Sequence, residues 1–505
     1  MLQKSKELFK AWNNNCLVYN HWKSNEHLVE GLDGDTDLDV QLLPAHKEKG
    51  CVILREIGFV HFASQFGSRY PNVEDWIGFD DETGKLLHLH LHYALVTGHT
   101  GMKEYMLPWT EEALRTRIQD ETTGVYIMNP NLELVSLYTR LILKAKRKWV
   151  YAAKKGRYKI DNHFFVEIDY IKKQVDWVAV SDIAKRYYGE HGEMFVEITK
   201  SESLSSKQFL QLYAIVTKSM KQYSRYHGIS QTIRRFFYPI VLPVRVGLRK
   251  RYAWNIITRK VANPSNGFSI AFIGQDGCGK STVSSDIEKW LNWKIDAKRF
   301  YLGSGEHYKG IFQRLFALGT IRRNKIKSSG AVVSDSLSVK HKKNLKNRIY
   351  ACLIALNFLS ISKRVYKELL RSEKYRHRGG IPLFDRFPQV QFDGIYDGPK
   401  IDDFCRRSDF DFTILKLMAK KEKSILEKAW KLQPALVFKL LLSPEESIKR
   451  KPFENLDMVK RKHDITKQLV FKDSNVILVD ATQDYQLELI QIKKEIWKAI
   501  QKSQE

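Results

Sequence analysis

At 505 residues the chain is too long for one ordinary core and has room for about three folding units. Apolar residues at 43% and aromatics at 12% exclude wholesale disorder. The 84 Lys and Arg against 57 Asp and Glu leave +27, which favours anionic partners, although a solvated basic surface explains any single cluster as well. The five cysteines, Cys16, Cys51, Cys278, Cys352 and Cys405, are scattered without a CxxC pair, so they indicate neither a disulfide framework nor a zinc site and fit a reducing cytoplasm.

The opening MLQKSKELFKAW lacks an apolar core and does not read as a secretory signal. Residues 1–149 mix strand-like runs (TDLDVQLL, CVILREIGFVHFA, KLLHLHLHYALV) with polar turns, which predicts an α/β domain. It closes on a helix with Asn129 as N-cap, Pro130 at its first position, and Leu134, Leu137, Tyr138 and Leu141 at amphipathic spacing. Asp37 and Asp39, one residue apart on a strand, share a face, as carboxylates holding divalent ions do. This arrangement resembles the nucleotidyltransferase superfamily, although Lys23-Ser24 stands where that superfamily has a GS pair. The resemblance implies metal ligation by Asp37 and Asp39 and a third carboxylate from a later strand. The candidate strand, LLHLHLHY, sets His88, His90 and His92 on one face; an exposed polar face of a half-buried strand gives the same alternation.

Residues 150–265 read as a helical and basic linker region. After the start signal SLSS, Phe209, Leu210, Tyr213, Val216 and Met220 form one apolar stripe. Arg234 to Arg259 is basic and aromatic, suited to clamping domains or to stacking on nucleic acid, and ANPSNG marks a linker. Further on, the apolar run Ile349 to Ile361 is shorter than the roughly 20 residues that span a bilayer, so a buried helix and no transmembrane segment are expected. The polar, basic stretch near 321–348 reads as an insertion.

Residues 266–505 alternate strands (FSIAFIG, KRFYLG, IPLFDR, ALVFKLLL, NVILVDA) with helical patterns, which predicts a parallel sheet flanked by helices. Between the first strand and a helix, Gly274-Gln275-Asp276-Gly277-Cys278-Gly279-Lys280-Ser281 matches the full GxxxxGK(S/T) phosphate loop. In such a loop Lys280 reaches the β- and γ-phosphates of ATP and Ser281 ligates Mg²⁺.

With Asp276 and Thr282, this loop is similar to the GxDGxGKST loop of thymidylate kinases. Asp385-Arg386-Phe387 resembles that family's DR(Y/F/H) element, and SPEESIKRK its entry to a basic lid. The resemblance implies that Asp385 holds the Mg²⁺ hydration shell or steers the acceptor, that Arg386 clamps the acceptor phosphate, and that Arg450, Lys451, Lys460, Arg461 and Lys462 supply the lid. Arg450 and Arg461 are then catalytic candidates with Lys280, Asp385 and Arg386. RFYLGSGEHYKG departs from the family's substrate segment. The expected activity is a cytoplasmic ATP-dependent kinase acting on a phosphorylated small molecule, with dTMP as first acceptor. A sugar or polyol phosphate of surface-polysaccharide assembly and a nucleotide-gated binding module, on nucleic acid, are the rivals; a homodimer is left open.

Overall fold

The computed structural model describes residues 1–504 apart from 66–68, 100, 160–161, 253–259, 304–344 and 453–455. The chain is an α/β protein of two units: Met1–Pro264 with Ile500–Glu505, and Ser265–Ala499.

The first unit carries β1 (Tyr19–His21), β2 (Leu38–Leu42), β3 (Val60–Ser64), β4 (Val73–Phe79), β5 (Leu86–His92), β6 (Val96–Thr97), β7 (Tyr105–Met106), β8 (Ile118–Gln119), β9 (Tyr126–Ile127) and β10 (Val261–Ala262). Eight of them form a mixed sheet in the order β10-β3-β4-β5-β2-β1-β9-β8, with β2 parallel to β5 and antiparallel β4 on the other side of β5. Strict alternation decides this centre: Leu87, Leu89 and Leu91 turn into the core with Leu38 and Val40, which leaves the histidines of β5 on the opposite face. CVILREI is not a strand. It belongs to the helix Lys47–Glu56, which buries Gly50, Cys51, Ile53 and Leu54 at helical spacing, and the strand begins only at Val60. A Cβ on Gly50 would lie 2.7 Å from Leu42 Cδ2, so glycine lets this helix sit close on the sheet.

Asn129 caps the helix Pro130–Leu143, its side chain accepting from the Asn131 N–H. The expected single apolar stripe understates the burial, because every residue from Leu132 to Leu143 is buried. Helices Asn162–Lys172, Trp177–Tyr188 and Ser206–Met220 pack around it, so its polar side carries buried Glu133 and Arg140. SLSS opens a capping box: Ser205 Oγ accepts from Gln208 N–H and Gln208 Oε1 from Ser205 N–H. The basic, aromatic stretch forms the helix Gly228–Tyr252, on which Arg235 forks onto Glu104 of the same unit at 3.0–3.1 Å. The rest of that stretch, 253–259, lies outside the described residues.

The second unit contains β11 (Ile270–Ile273), β12 (Ala297–Phe300), β13 (Ile381–Phe384), β14 (Leu436–Leu441) and β15 (Asn475–Asp480) in one all-parallel sheet, ordered β12-β13-β11-β14-β15. All five expected strands form. Because β13 and β14 flank β11, the loops leaving β11 and β13 meet at the carboxyl edge, where open parallel sheets place their ligands. The apolar run at 349–361 lies in a helix of 32 residues, Leu345–Arg376. One side buries Ala351, Ala355 and Leu359, while Ile349, Leu353 and Leu356 are exposed, so the expected buried helix is buried on one face only. Among the described residues, Asn347–Arg376 is the helix that is long and apolar enough to cross a membrane by length and composition, although a core helix of a soluble protein passes the same test. Most of the expected insertion and of the GSGEHY segment, 304–344, lies outside the described residues.

Candidate functional site

In the second unit the chain leaves β11 through Gly274–Gly279 and enters the helix Lys280–Leu291. Gly277 and Gly279 have φ of +87° and +91°, which side chains rarely adopt. A Cβ on Gly274 would meet Cys278 Sγ and the Leu440 carbonyl at 2.5 Å. The sequence motif is therefore a backbone requirement. Gln275 is buried and donates to the Leu442 carbonyl, tying the loop to the end of β14, while Thr282 is exposed. Lys280 Nζ lies 2.7 Å from both the Gly274 and the Gln275 carbonyl oxygens, folded over the loop it serves.

Asp385 follows β13 directly, and its Oδ2 lies 3.4 Å from Ser281 Oγ. Its Oδ1 is buried without a hydrogen-bond partner among the described residues. Burial raises the carboxyl above its ordinary range, opposed by the positive charges of Arg386, Lys280 and Arg299. A hydroxyl and an under-satisfied carboxylate facing each other at a phosphate loop are the donor set a hydrated Mg²⁺ takes, so the residues fit that ion.

Arg386 lies 4.0 Å from Asp276 Oδ1, and Lys462 pairs with Asp276 Oδ2. Burial works against ionisation of Asp276, but the Lys462 hydrogen bond and the charges of Lys280 and Arg386 hold the carboxyl below its ordinary range. A pocket of 170 Å³ opens here, lined among others by Gly274, Lys280, Arg386, Tyr396, Lys400 and Lys462. Of the basic lid candidates, Lys462 reaches this pocket. Arg450 instead donates to the Ala481 carbonyl at 3.2 Å and faces Glu446, and Lys460 and Arg461 are exposed. Ser443 caps the helix Pro444–Arg450 through the Glu446 N–H, and Ser447 Oγ donates to the Asp276 carbonyl, docking that helix on the loop. Tyr396 and Lys400 were not legible as pocket residues. They come from an irregular stretch after β13, where Tyr396 and Asp397 take φ of +49° and +58°, and no motif marks such turns.

The first unit assembles a separate cluster. Asp37 and Asp39 do meet the β5 histidines on one face: Asp37 Oδ1 is 2.8 Å from His88 Nδ1, and Asp39 Oδ1 is 3.2 Å from both His90 Nδ1 and His92 Nε2. The histidines are not a solvated strand face, since His88 and His92 are buried. A further carboxylate joins the cluster from β4: Asp75 lies within 2.9 Å of His88 Nε2 and is held by the Ser64 hydroxyl. Its position in VEDWIGF, inward on a strand, was the available signal. Lys23 Nζ sits 2.8 Å from Asp39 Oδ1, and Ser24 turns the chain at φ +58°. Lys103 faces the same group; burial depresses its amine to about 7, with Lys23 adding repulsion and Asp39 and Asp75 opposing.

Behind this turn lie three carboxylates. Burial pushes Glu133 up to about 8, helped by the charge of Glu167, and pushes Glu26 up to about 7. Because Glu133 holds its proton in the folded chain above the ordinary value of 4.5, the native state binds more protons between these limits, and stability falls as pH rises from 4.5 to 8. Glu133→Gln should remove this loss, raising the unfolding free energy of the first unit at pH 8 by about 4 kcal/mol while changing it little at pH 4.5. Urea titrations at both pH values decide it; an equal change at each would mean that Glu133 does not titrate in this range.

No protein-family model matches the chain. In sequence it is 27% identical over 230 residues to YghR of Escherichia coli K12, described as an uncharacterized ATP-binding protein, covering 45% of this chain and 86% of the relative. YghS of the same organism, described likewise, is 24% identical over 213 residues, 42% of this chain and 84% of the relative. Among solved structures, deoxyadenosine kinase from M. mycoides with bound dATP aligns with 45% of this chain and 98% of its own, at 14% identity and a TM-score of 0.28. The chain is thus distantly similar to two proteins described as ATP-binding, over less than half of its length.

Proposed function

We propose that the second unit is an ATP-dependent phosphotransferase acting on a phosphorylated small molecule, a nucleoside monophosphate such as dTMP being the first acceptor to test. The observation that carries this reading is the convergence of Lys280, Arg386 and Lys462 on one pocket at the carboxyl edge of a parallel sheet, with Ser281 facing Asp385 at the same phosphate loop. The similarity to YghR and YghS, described as ATP-binding, supports the nucleotide.

Ser281 and Asp385 would hold Mg²⁺, which would supply neutralisation of phosphate charge. Lys280 would exchange the two loop carbonyls for phosphate oxygens. Arg386, which lines the pocket, would fix the acceptor phosphate, since its planar fork presents two parallel donors. Arg386→Lys keeps the charge and loses the fork. It should raise the acceptor KM at least about tenfold with the KM for ATP nearly unchanged, as steady-state kinetics would read; equal effects on both would remove Arg386 from the acceptor side.

The test of the whole reading is phosphate transfer from γ-labelled ATP with Mg²⁺ to dTMP, the other nucleoside monophosphates and a panel of sugar and polyol phosphates. A labelled nucleotide product supports the first acceptor class, and a labelled sugar or polyol product transfers the reading to the second. ATP binding without any labelled small product would replace it with a nucleotide-driven switch.

A further inference from the structure

We propose that Asp39, His90 and His92 of the first unit form a binding site for a borderline first-row dication of the Zn²⁺ type, separate from any Mg²⁺ chemistry of the second unit. One ligand atom from each of these residues can be chosen so that all lie within 4.8 Å of one another. Metal–ligand bonds of about 2.1 Å at angles of 90–110° set donor atoms roughly 3.0–3.4 Å apart. Asp39 Oδ1 lies 3.2 Å from His90 Nδ1 and 3.2 Å from His92 Nε2, so two of the three donor pairs stand at the spacing a metal imposes, and the third lies within 4.8 Å.

The surroundings match as well. His90 turns its other nitrogen, Nε2, toward Asp75 Oδ1 at 3.5 Å, and Asp75 is itself held by Ser64. A ligating histidine whose remote nitrogen faces an oriented carboxylate is the outer support that metal sites use. His92 is fully buried, and its Nδ1 has no hydrogen-bond partner among the described residues. Lys23 brings its ammonium to 2.8 Å from Asp39 Oδ1, where it competes with a metal for that oxygen. Two imidazoles select against Mg²⁺, which prefers oxygen donors, and favour Zn²⁺ over Mn²⁺ in the usual order of divalent affinities.

The test uses the untagged full chain, stripped with chelator and titrated with Zn²⁺, and with Co²⁺ followed by its visible absorption. One equivalent of Zn²⁺ is expected, undisturbed by millimolar Mg²⁺, with an absorption spectrum of Co²⁺ showing nitrogen ligation. His92→Ala and Asp39→Asn should each weaken Zn²⁺ binding at least about tenfold, and Asp75→Asn about tenfold through His90. Lys23→Met should tighten it several-fold, because it removes the competing ammonium, and it reports even if the histidine variant does not fold. Absence of bound Zn²⁺, displacement by Mg²⁺, or a Lys23→Met variant that binds no more tightly than the parent would overturn the proposal.

Discussion

Lys280→Ala is expected to lower kcat/KM for phosphate transfer by about 10³-fold, with the fold of the second unit unchanged. The stability half of this expectation rests on where the side chain is. Lys280 is half-buried at the pocket and, among the described residues, bonds to loop carbonyls and, more loosely, to Cys278 Sγ at 3.8 Å, so its removal takes nothing from the sheet core. The kinetic half rests on what those carbonyls show. An ammonium that bridges Gly274 and Gln275 at 2.7 Å already lies in the hollow where the phosphate loop would place anionic oxygens. A point charge held there acts most strongly on the charge that develops during transfer, so kcat should fall more than ATP affinity. Single-turnover transfer and calorimetric ATP binding, compared for the two proteins, separate these effects. A loss below about tenfold in both would mean that the hollow is not where the chemistry happens.

The phosphate loop was legible because its glycines answer a backbone need that nothing else meets: Gly277 and Gly279 sit at positive φ, and Gly274 has no room for a Cβ. The three central parallel strands, β13, β11 and β14, were legible as apolar runs buried along nearly their whole length, while the edge strands β12 and β15 expose part of theirs. What the sequence hid was of two kinds. The run CVILREI was ambiguous because a short apolar segment has no decisive period, and the helix it joins is identified only by packing against Leu42. The partners of the site residues were hidden because they are distant in sequence. Lys462 lies 186 positions from Asp276, and Asp75 reaches His88 and His90 only through the antiparallel pairing of β4 with β5. Asp37 and Asp39 announced a charged face, but which groups balance that charge is a property of the sheet order.

Arg140→Met should destabilise the first unit by about 3–5 kcal/mol, a fall in melting temperature of roughly 10 °C. Arg140 is 3% exposed and donates from Nη1 to Glu167 Oε1 at 3.0 Å, and Glu167 is 2% exposed. The same guanidinium opposes the raised carboxyls of Glu26 and Glu133, so one cation stabilises three buried acids. Taking it away leaves Glu167 with an uncompensated charge in the interior, and that cost exceeds what the ion pair contributes when intact. The double variant Arg140→Met with Glu167→Leu should therefore recover most of the loss, because both charges leave together. A single variant within 1 kcal/mol of the parent would show that the Arg140–Glu167 pair does not carry this stability. The damage should also reach the acid–histidine cluster, since Glu167 Oε1 accepts from the Ser24 N–H, and the adjoining Lys23 carries the ammonium that faces Asp39. Loosening that turn frees Lys23, so the single variant should weaken the hold on Asp39 before it unfolds the unit, while the double variant, lacking the Glu167 acceptor, should not restore it.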